Sequence, residues 1–342
     1  MHIGISYDLK NSVDMQMGSP DDALDEYDTS DTVDLIVDAI RSIGHSVTRL
    51  GGGREFLENI LKVNPDIVFN IAEGRGNYLS REAQVPSVLE MLEIPYTGSA
   101  PQCLANCLDK PLAKQLIKVM GISTPPWRVF DDPGKLSLPE NKIAYPVIIK
   151  PAHEGSSKGI HYNSLASGPG EALETICQLL KHYQQPVMME EFISGDEVTV
   201  GLVDNTPPVV LGMMRIRPKN NTNHFVYSLE VKRDYLNLVE YECPPSLDGE
   251  VLDKIMNSSL KVFKLLGCRD FCRIDFRISP ENIPYLIELN PLPGLGSHSD
   301  LVIMALRLGW RYETLIEKII ESAVRRYPRF SHKKRCLECV NG

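Results

Sequence analysis

No apolar run in this sequence reaches the ~18 residues that a membrane-spanning helix requires. Cations are also in short supply. Lys and Arg number 36 against 45 Asp and Glu, leaving a formal net charge of −9. Binding to nucleic acid or an anionic membrane draws on a basic surplus that releases counterions, and none exists here. The opening residues, MHIGISYD, carry no basic segment ahead of a long apolar stretch, as a secretory leader does. The expectation is a cytoplasmic protein with small-molecule partners, no nucleic acid and no membrane. Zinc ligands are missing too. The one CxxC, Cys336 with Cys339, has only His332 beside it, so residues 331–342 are expected to be a flexible tail. Cys103, Cys107, Cys177, Cys243, Cys268 and Cys272 are scattered among apolar segments, where free cysteine behaves as a small hydrophobe. There is no internal repeat and no low-complexity segment.

What is present fits a globular enzyme: 342 residues, enough for two or three domains, with 43% hydrophobic and 24% charged residues. The first hundred residues alternate strand and helix patterns. Residues 2–8 and 46–50 read as strands, 32–43 and 55–63 as helices, and the nearly all-apolar DIVFNIA (66–72) as a buried parallel strand. A helix at 82–92 completes a β-α-β-α-β order, which predicts a small doubly wound parallel sheet. Ligands gather at the carboxyl ends of such strands, where Tyr7, Asp8 and Glu73 lie. A second unit reads as a helix (108–121), strands (127–130 and 145–151), a helix (170–183) and a strand (187–193). A third has strands at 197–203 and 208–216, a long polar loop (217–240), a helix (249–266), a hairpin (269–278 with 284–290) and a closing helix (312–327).

Three segments carry chemistry. In IIKPAHEGSSKGI (148–160) a lysine leaves a buried strand and meets a loop of small residues. Lys150 can neutralise a phosphate, Ser156 and Ser157 add hydroxyl donors, and the loop's N–H groups can approach phosphate oxygens. The spacing is not that of a Walker loop, and a plain turn is the alternative. In VMMEEFISGDEVTV (187–200), a strand edge at Glu190, Glu191, Phe192 and Ile193 can offer backbone groups to an adenine, and Glu197 can accept from ribose hydroxyls. A solvated acidic bend is the alternative there. The third segment pairs CRIDFRI (272–278) with PYLIELNPLPG (284–294). Asp275 and Glu288 interrupt apolar strands, and a lone buried charge costs several kcal/mol unless it is paired or on a metal. In an antiparallel hairpin the two become neighbours. Asn290 adds a third oxygen on the same face as Glu288, and Arg273 lies beside them. Three hard oxygens suit magnesium; a salt-bridge network around Arg273 is the alternative.

The order of these segments resembles the ATP-grasp enzymes and, within them, the D-alanine–D-alanine ligase family. Lys110 in LDK, the 148–160 loop, MEEFISGDEVTV, CRIDF and ELNPLPGLGSHS follow one another at sensible spacing, and EIPYTGSAP (93–101) matches the end of the family's first domain. The resemblance spans about residues 66–320. It implies an α/β (α+β) ATP-grasp fold: an N-terminal Rossmann-like domain (1–100), a central ATP-grasp subdomain (101–186) and a C-terminal one (187–330), with ATP clamped between the last two. It implies ATP with two Mg²⁺ ions, Mn²⁺ being the alternative, and a homodimer through the N-terminal domain. The implied reaction has two steps. A carboxylate attacks the γ-phosphate of ATP to give an acyl phosphate, and an amine then displaces phosphate. Lys110, Lys150 and Lys232 would contact phosphates beneath Ser156 and Ser157. Glu190, Glu191, Phe192, Ile193 and Glu197 would hold the nucleoside, and Asp275, Glu288 and Asn290 the metal. Arg273 and the Gly294 N–H would stabilise the oxyanion, with Ser156 in the catalytic set. Ser297 and Ser299 would hold the second substrate's carboxylate.

The departures fall on the amino-acid pocket. The family's N-terminal GG-x-S-x-E signature, whose glutamate holds an ammonium, is replaced by YDLKNSVDMQMGSPDDALDEYD, in which Glu26 or a neighbouring acid is the substitute. The HG motif becomes Glu73-Gly74. Arg233 replaces a tyrosine after Lys232 and can greet an extra substrate carboxylate or simply face water. Asp300 follows Ser299 where the family more often has an apolar residue. Three readings follow: a D-alanyl-D-alanine ligase, the same chemistry on other amino acids or an amino-acid-like metabolite, and a non-catalytic nucleotide-binding module.

Overall fold

A computed structural model describes residues 1–13, 18–138, 143–220, 224–328 and 330; the CxxC tail with His332 lies outside them. The chain opens with β1 (His2–Ser6), α1 (Ser30–Ser42), β2 (Ser46–Gly51), α2 (Gly53–Ile60), β3 (Ile67–Asn70) and α3 (Gln84–Met91). The three strands form an all-parallel sheet in the order β2-β1-β3. Side chains alternate along it. Ile3, Ile5, Ile67 and Phe69 pack with Val33, Ile36, Val37 and Ile40 of α1. Leu50 and Val68 pack on the opposite side with Phe56 and Ile60 of α2 and Leu89 of α3. Both faces are therefore covered, as the doubly wound pattern predicts. The α1 helix begins earlier than its apolar period suggests because the Thr29 hydroxyl accepts from Thr32 N at 3.4 Å.

The helix expected at 108–121 is α5 (Lys110–Val119), and a further helix, α4 (Pro101–Leu108), runs up to it unexpected. Asp109 breaks them apart: its carboxylate caps α5 through Leu112 N. Next come β4 (Trp127–Phe130), β5 (Val147–Pro151), β6 (Leu165–Ala166), α6 (Pro169–Tyr183) and β7 (Val187–Glu191). They build an antiparallel sheet in the order β4-β7-β5-β6. The chain leaves this sheet only after Glu191, so β7 belongs with the strands before it.

The last sheet is antiparallel, in the order β10-β9-β8-β11-β12. It is made by β8 (Asp196–Val203), β9 (Val209–Pro218), β10 (Val239–Glu242), β11 (Phe271–Ile278) and β12 (Pro284–Asn290). The segment expected as a polar loop holds α7 (Leu229–Arg233) and α8 (Tyr235–Leu238), and α9 (Gly249–Leu265) precedes the hairpin. An unexpected helix, α10 (Asp300–Arg307), precedes the closing α11 (Tyr312–Arg325). The α10 helix lies close on the sheet because Gly201 faces it: a Cβ there would meet Leu301 Cδ2 at 2.7 Å. Leu301 and Met304 of α10, Leu315 and Ile319 of α11 and Leu211 and Met214 of β9 join the same core as α1 and β1. Among the cysteines, Cys103, Cys107, Cys268 and Cys272 are buried as expected, but Cys177 is exposed on α6 and Cys243 is half-buried. No helix among the described residues is long and apolar enough to cross a membrane.

One buried carboxylate ties these parts together. Asp270, wholly buried, accepts from Gly98 N at 2.8 Å, Asn205 Nδ2 at 2.7 Å and Ser322 Oγ at 3.0 Å, and pairs with Arg326. It thereby joins the end of the first unit, the β8–β9 turn and the last helix. Asp270→Ala leaves Arg326 and three donors without their acceptor. Urea unfolding is expected to show a loss of about 3–5 kcal/mol, with Asp270→Asn losing less.

Candidate functional site

The centre of the site is the β11–β12 hairpin. Asp275 and Glu288 are direct cross-strand partners, and Arg273 is opposite Asn290. The register slips between Asp275 and Phe276, whose partners are Glu288 and Leu286. Ile287 is the extra residue of this bulge. The bulge lets Leu286 and Leu289, three positions apart, both enter the core while Ile287 and Glu288 face the cleft. That answers how an apolar strand presents a carboxylate.

The two carboxylates are held by cations. Arg273 donates from Nε and Nη2 to Asp275 Oδ2 at 3.1 and 3.0 Å, and its Nη2 lies 3.5 Å from Glu288 Oε1. Lys110 Nζ is 3.0 Å from Glu288 Oε2, and Thr199 donates to Asp275 Oδ1 at 2.8 Å. Burial pushes the Glu288 carboxyl up, but Lys110, Lys150, Arg273 and Lys232 together outweigh it and hold Glu288 well below the usual carboxylate range. Asp275 goes the other way: burial raises it against the pull of Arg273, and the charge of Glu288 adds to the rise. Two hard-oxygen carboxylates on one surface, with Asn290 at the strand's end, fit magnesium when phosphate oxygens and water complete its shell. Among the described residues no three His, Cys, Asp or Glu side chains form a ready cage.

A cavity opens beside this pair, between the four-stranded and five-stranded sheets. Lys150, Ser157, Glu190, Glu191, Phe192, Ile193, Glu197, Lys232, Arg273, Asp275 and Glu288 all line it. Lys110 reaches its edge through Glu288. The expected strand edge is absent, however. β7 is an interior strand, and the N–H groups of Glu191 and Phe192 already donate to Pro126 and Pro146 carbonyls at 3.0 Å. The Glu190 side chain is committed as well. It pairs with Lys150 at 2.8 Å and with Lys114 at 2.7 Å, so two lysines take up its charge at the cavity wall. Burial pushes Lys114 down to about 8. Lys114 was not singled out from the sequence, although it follows Lys110 at the i,i+4 spacing that shares a helix face. The Arg277 guanidinium stacks 4.5 Å over the Phe192 ring and pairs with Glu197 at 3.0 Å. Ser156 and Ser157 hold φ of 51° and 61°, a left-handed pair that persists only where its surroundings impose it.

Those surroundings are the N-terminal acidic loop. Asp22 accepts from Gly159 N at 2.7 Å and from the Tyr183 hydroxyl at 2.7 Å. Glu26 is buried between Arg81 at 2.7 Å and Lys158 at 3.2 Å. Glu26 is thus engaged by two cations and lines neither the nucleotide-side cavity nor the one beside it, so the structure does not bring it to the place where a substitute for the family's glutamate is expected. Arg233 points the same way, into Asp25 at 2.6 Å and Asp21 at 3.9 Å. It lines neither cavity described here, so the expected contact with a substrate carboxylate is not formed. Glu73 lies outside both cavities too, and burial followed by the charge of Glu82 pushes its carboxyl well above its ordinary value.

A second cavity adjoins the first. Ser156, Gly294, Ser297 and Ser299 line it, with Thr29, Asp31 and Thr32 from the start of α1. The two cavities share Tyr227, Lys232, Arg273 and Asp300. Lys232 Nζ sits 5.3 Å over the Tyr227 ring, and burial, then the charge of Arg273, lowers its pKa. Two rooms joined at a cationic passage can place a phosphorylated group and a second reactant in contact.

Burial and a lesser repulsion from Asp275 lift Glu197 from 4.5 to about 7 against the pull of Arg277. Between those values the folded protein holds a proton that the unfolded chain has released. The group therefore favours folding below pH 4.5, and that contribution is lost as pH rises to about 7. Glu197→Gln removes the loss, so its stability relative to the wild type should climb across this window in urea melts. Parallel curves would show that Glu197 stays ionised.

Comparison with known proteins places this architecture. A family model described as D-ala D-ala ligase C-terminus matches residues 116–321. A D-alanine–D-alanine ligase of Aquifex aeolicus is 34% identical over 286 residues, covering 83% of this chain and 92% of that one. An uncharacterized protein, y4sG, of Sinorhizobium fredii is 30% identical over 305 residues, covering 86% and 88%. Among solved structures, the ATP complex of a D-alanine–D-alanine ligase from Bacillus anthracis superposes with a TM-score of 0.74 at 22% identity, covering 95% of this chain and 98% of that chain. The VanG D-Ala:D-Ser ligase of Enterococcus faecalis gives 0.71 at 19%, covering 94% and 99%.

Proposed function

Because the chain belongs to the D-alanine–D-alanine ligase family, with its ATP-grasp fold, we propose that it is an ATP-dependent ligase forming a C–N bond between a carboxylate and an amine. The observation that carries this reading is the junction of the two cavities at Tyr227, Lys232, Arg273 and Asp300, directly beside the Asp275–Glu288 pair. ATP occupies the first cavity. Its phosphates lie toward Lys110, Lys150 and Lys232, whose charges offset what develops on the transferring phosphoryl group. Arg277 and Phe192 flank the base and ribose. Magnesium held by Asp275, Glu288 and Asn290 would neutralise phosphate charge there. The attacking carboxylate and the amine occupy the second cavity. The Gly294 N–H and Arg273 face the carbonyl oxygen as it gains charge, and Ser297 and Ser299 receive the amine partner's carboxylate. The enzyme works in the cytoplasm as a homodimer built on the N-terminal unit.

D-Alanine is the first substrate to try, for either position. A second reading, the same chemistry on a different amino acid or related metabolite, is favoured by the commitment of Glu26 to Arg81 and Lys158 and by the acids Asp31 and Asp300 in the second cavity. Phosphate release from ATP and magnesium, measured across D- and L-amino acids singly and in pairs with product masses, tests both. Alanylalanine from D-alanine alone supports the first reading, and release with another pair only supports the second. Tight ATP binding without release for any pair would point to a substrate that is not an amino acid or to a nucleotide-binding module. Glu288→Gln should keep the wild-type circular dichroism and lower turnover by ~10²–10³-fold. Wild-type turnover in that variant would overturn the metal assignment.

A further inference from the structure

The second half of the proposed reaction needs a proton acceptor. An amino acid meets the acyl phosphate as an ammonium ion, and its nitrogen has no lone pair until a proton leaves. We propose that Asp300 takes that proton; this rests on the ligase reading above.

The geometry singles it out. Of the four groups shared by the two cavities, Lys232 and Arg273 are cations and cannot accept. Tyr227 is committed to a hydroxyl pair with Tyr241 at 2.7 Å. Asp275 and Glu288 lie on the nucleotide side and face each other. His298 lines only the second cavity, with its ring 5.6 Å from that of Tyr235. Asp31 is exposed at the far wall. That leaves Asp300, the first residue of α10, whose side chain is 16% exposed. Its nearest partner is Arg273 Nη1 at 3.5 Å, longer than a normal hydrogen bond, and among the described residues its carboxylate makes no closer bond. An oxygen is therefore free to accept where the second cavity, which holds the amine, opens onto the first. The charges on Arg273 and Lys232 beside it repel an ammonium and lower its pKa, which eases the transfer to a carboxylate.

The step balances. One N–H bond of the ammonium breaks, and its proton goes to an Asp300 oxygen. The freed lone pair forms the C–N bond to the acyl carbon. The C–O bond to phosphate then breaks, with its electron pair leaving on phosphate, and the second nitrogen proton goes to that phosphate. Amide, hydrogen phosphate and protonated Asp300 result, and Asp300 returns its proton to solvent.

Hydroxylamine separates this role from a structural one, since it is largely unprotonated at neutral pH and needs no base. Wild type and Asp300→Asn are assayed with ATP, magnesium and each common amino acid in both chiralities, D-alanine first. Hydroxamate is read by iron colour with hydroxylamine present, and peptide by mass without it. The expected result is a ~10²–10³-fold fall in peptide formation with hydroxamate within about threefold of wild type. Equal loss of both products in a folded variant, or no loss of peptide, overturns the assignment. Should Asp300→Asn fail to fold, Asp300→Ser is read in the same way. No hydroxamate and no phosphate from the wild type with any amino acid overturns the reading as an amino-acid ligase, and this proposal with it.

Discussion

Asp275 and Glu288 face each other across β11 and β12, and two like charges so placed need cations drawn from elsewhere in the chain. Arg273 comes from the same strand, Lys110 from the start of α5, and Lys232 from α7. Each of those cations adds a further demand. Lys150 is buried and needs Glu190, which also holds Lys114. The result is a connected set of charges in which Arg273 and Asp275 share a strand, while the pairs of Lys110 with Glu288 and of Lys150 and Lys114 with Glu190 join different elements. Such a set is weak evidence for stability, because desolvation cancels much of the attraction. It marks a candidate site because these charges line a cavity, and perturbed buried charges beside a cleft gather where ligands bind.

The acidic N-terminal loop explains how this chain keeps the site after losing the family's glutamate signature. Asp22 and Glu26 bind Gly159, Tyr183, Arg81 and Lys158, and Glu154 bonds to Arg81 and Lys158 in turn. The glycine–serine loop is thereby clamped against the first unit with Ser156 and Ser157 in left-handed backbone. Asp25 draws Arg233 away from the cavities by the same logic. Glu26 and Arg233, weighed above as substrate contacts, are engaged in this polar clamp.

This also shows what the sequence made legible. The parallel sheet could be read because Ile3, Ile5, Ile67 and Phe69 have no polar residue competing for their positions, so the period was clear. Asp275 and Glu288 could be read because a carboxylate in an apolar strand is costly and must have a cause. The α4 and α10 helices escaped the sequence reading although α2 and α3, equally eight residues long, did not: those two follow strands in the alternating first unit, which α4 and α10 lie outside. Side chains that pair across distant segments were misread: Glu26, Glu190 and Arg233 each look free in one dimension, and each is taken by a partner 55, 40 or 208 positions away. The interior position of β7 was hidden for the same reason, because β4 lies some sixty residues before it and pairs with it only in three dimensions.

The way the apolar cores are divided has a mechanical meaning. The first unit shares a continuous core with α10, α11 and β9, and α4 and α5 are bonded into the core beneath β11 and β12. The four-stranded sheet and α6 keep a core of their own. Their ties to the first unit are polar, such as Asn77 with Tyr183 and Arg81 with His153. Apolar cores resist shear because every displacement opens voids, whereas hydrogen bonds at a surface can be exchanged for water. The four-stranded sheet therefore meets the rest of the molecule through polar contacts, several of them buried, and not through a shared apolar core. Ser156, Ser157 and Lys150 stand on its side of that seam, and Lys110, Arg273 and the carboxylate pair on the other.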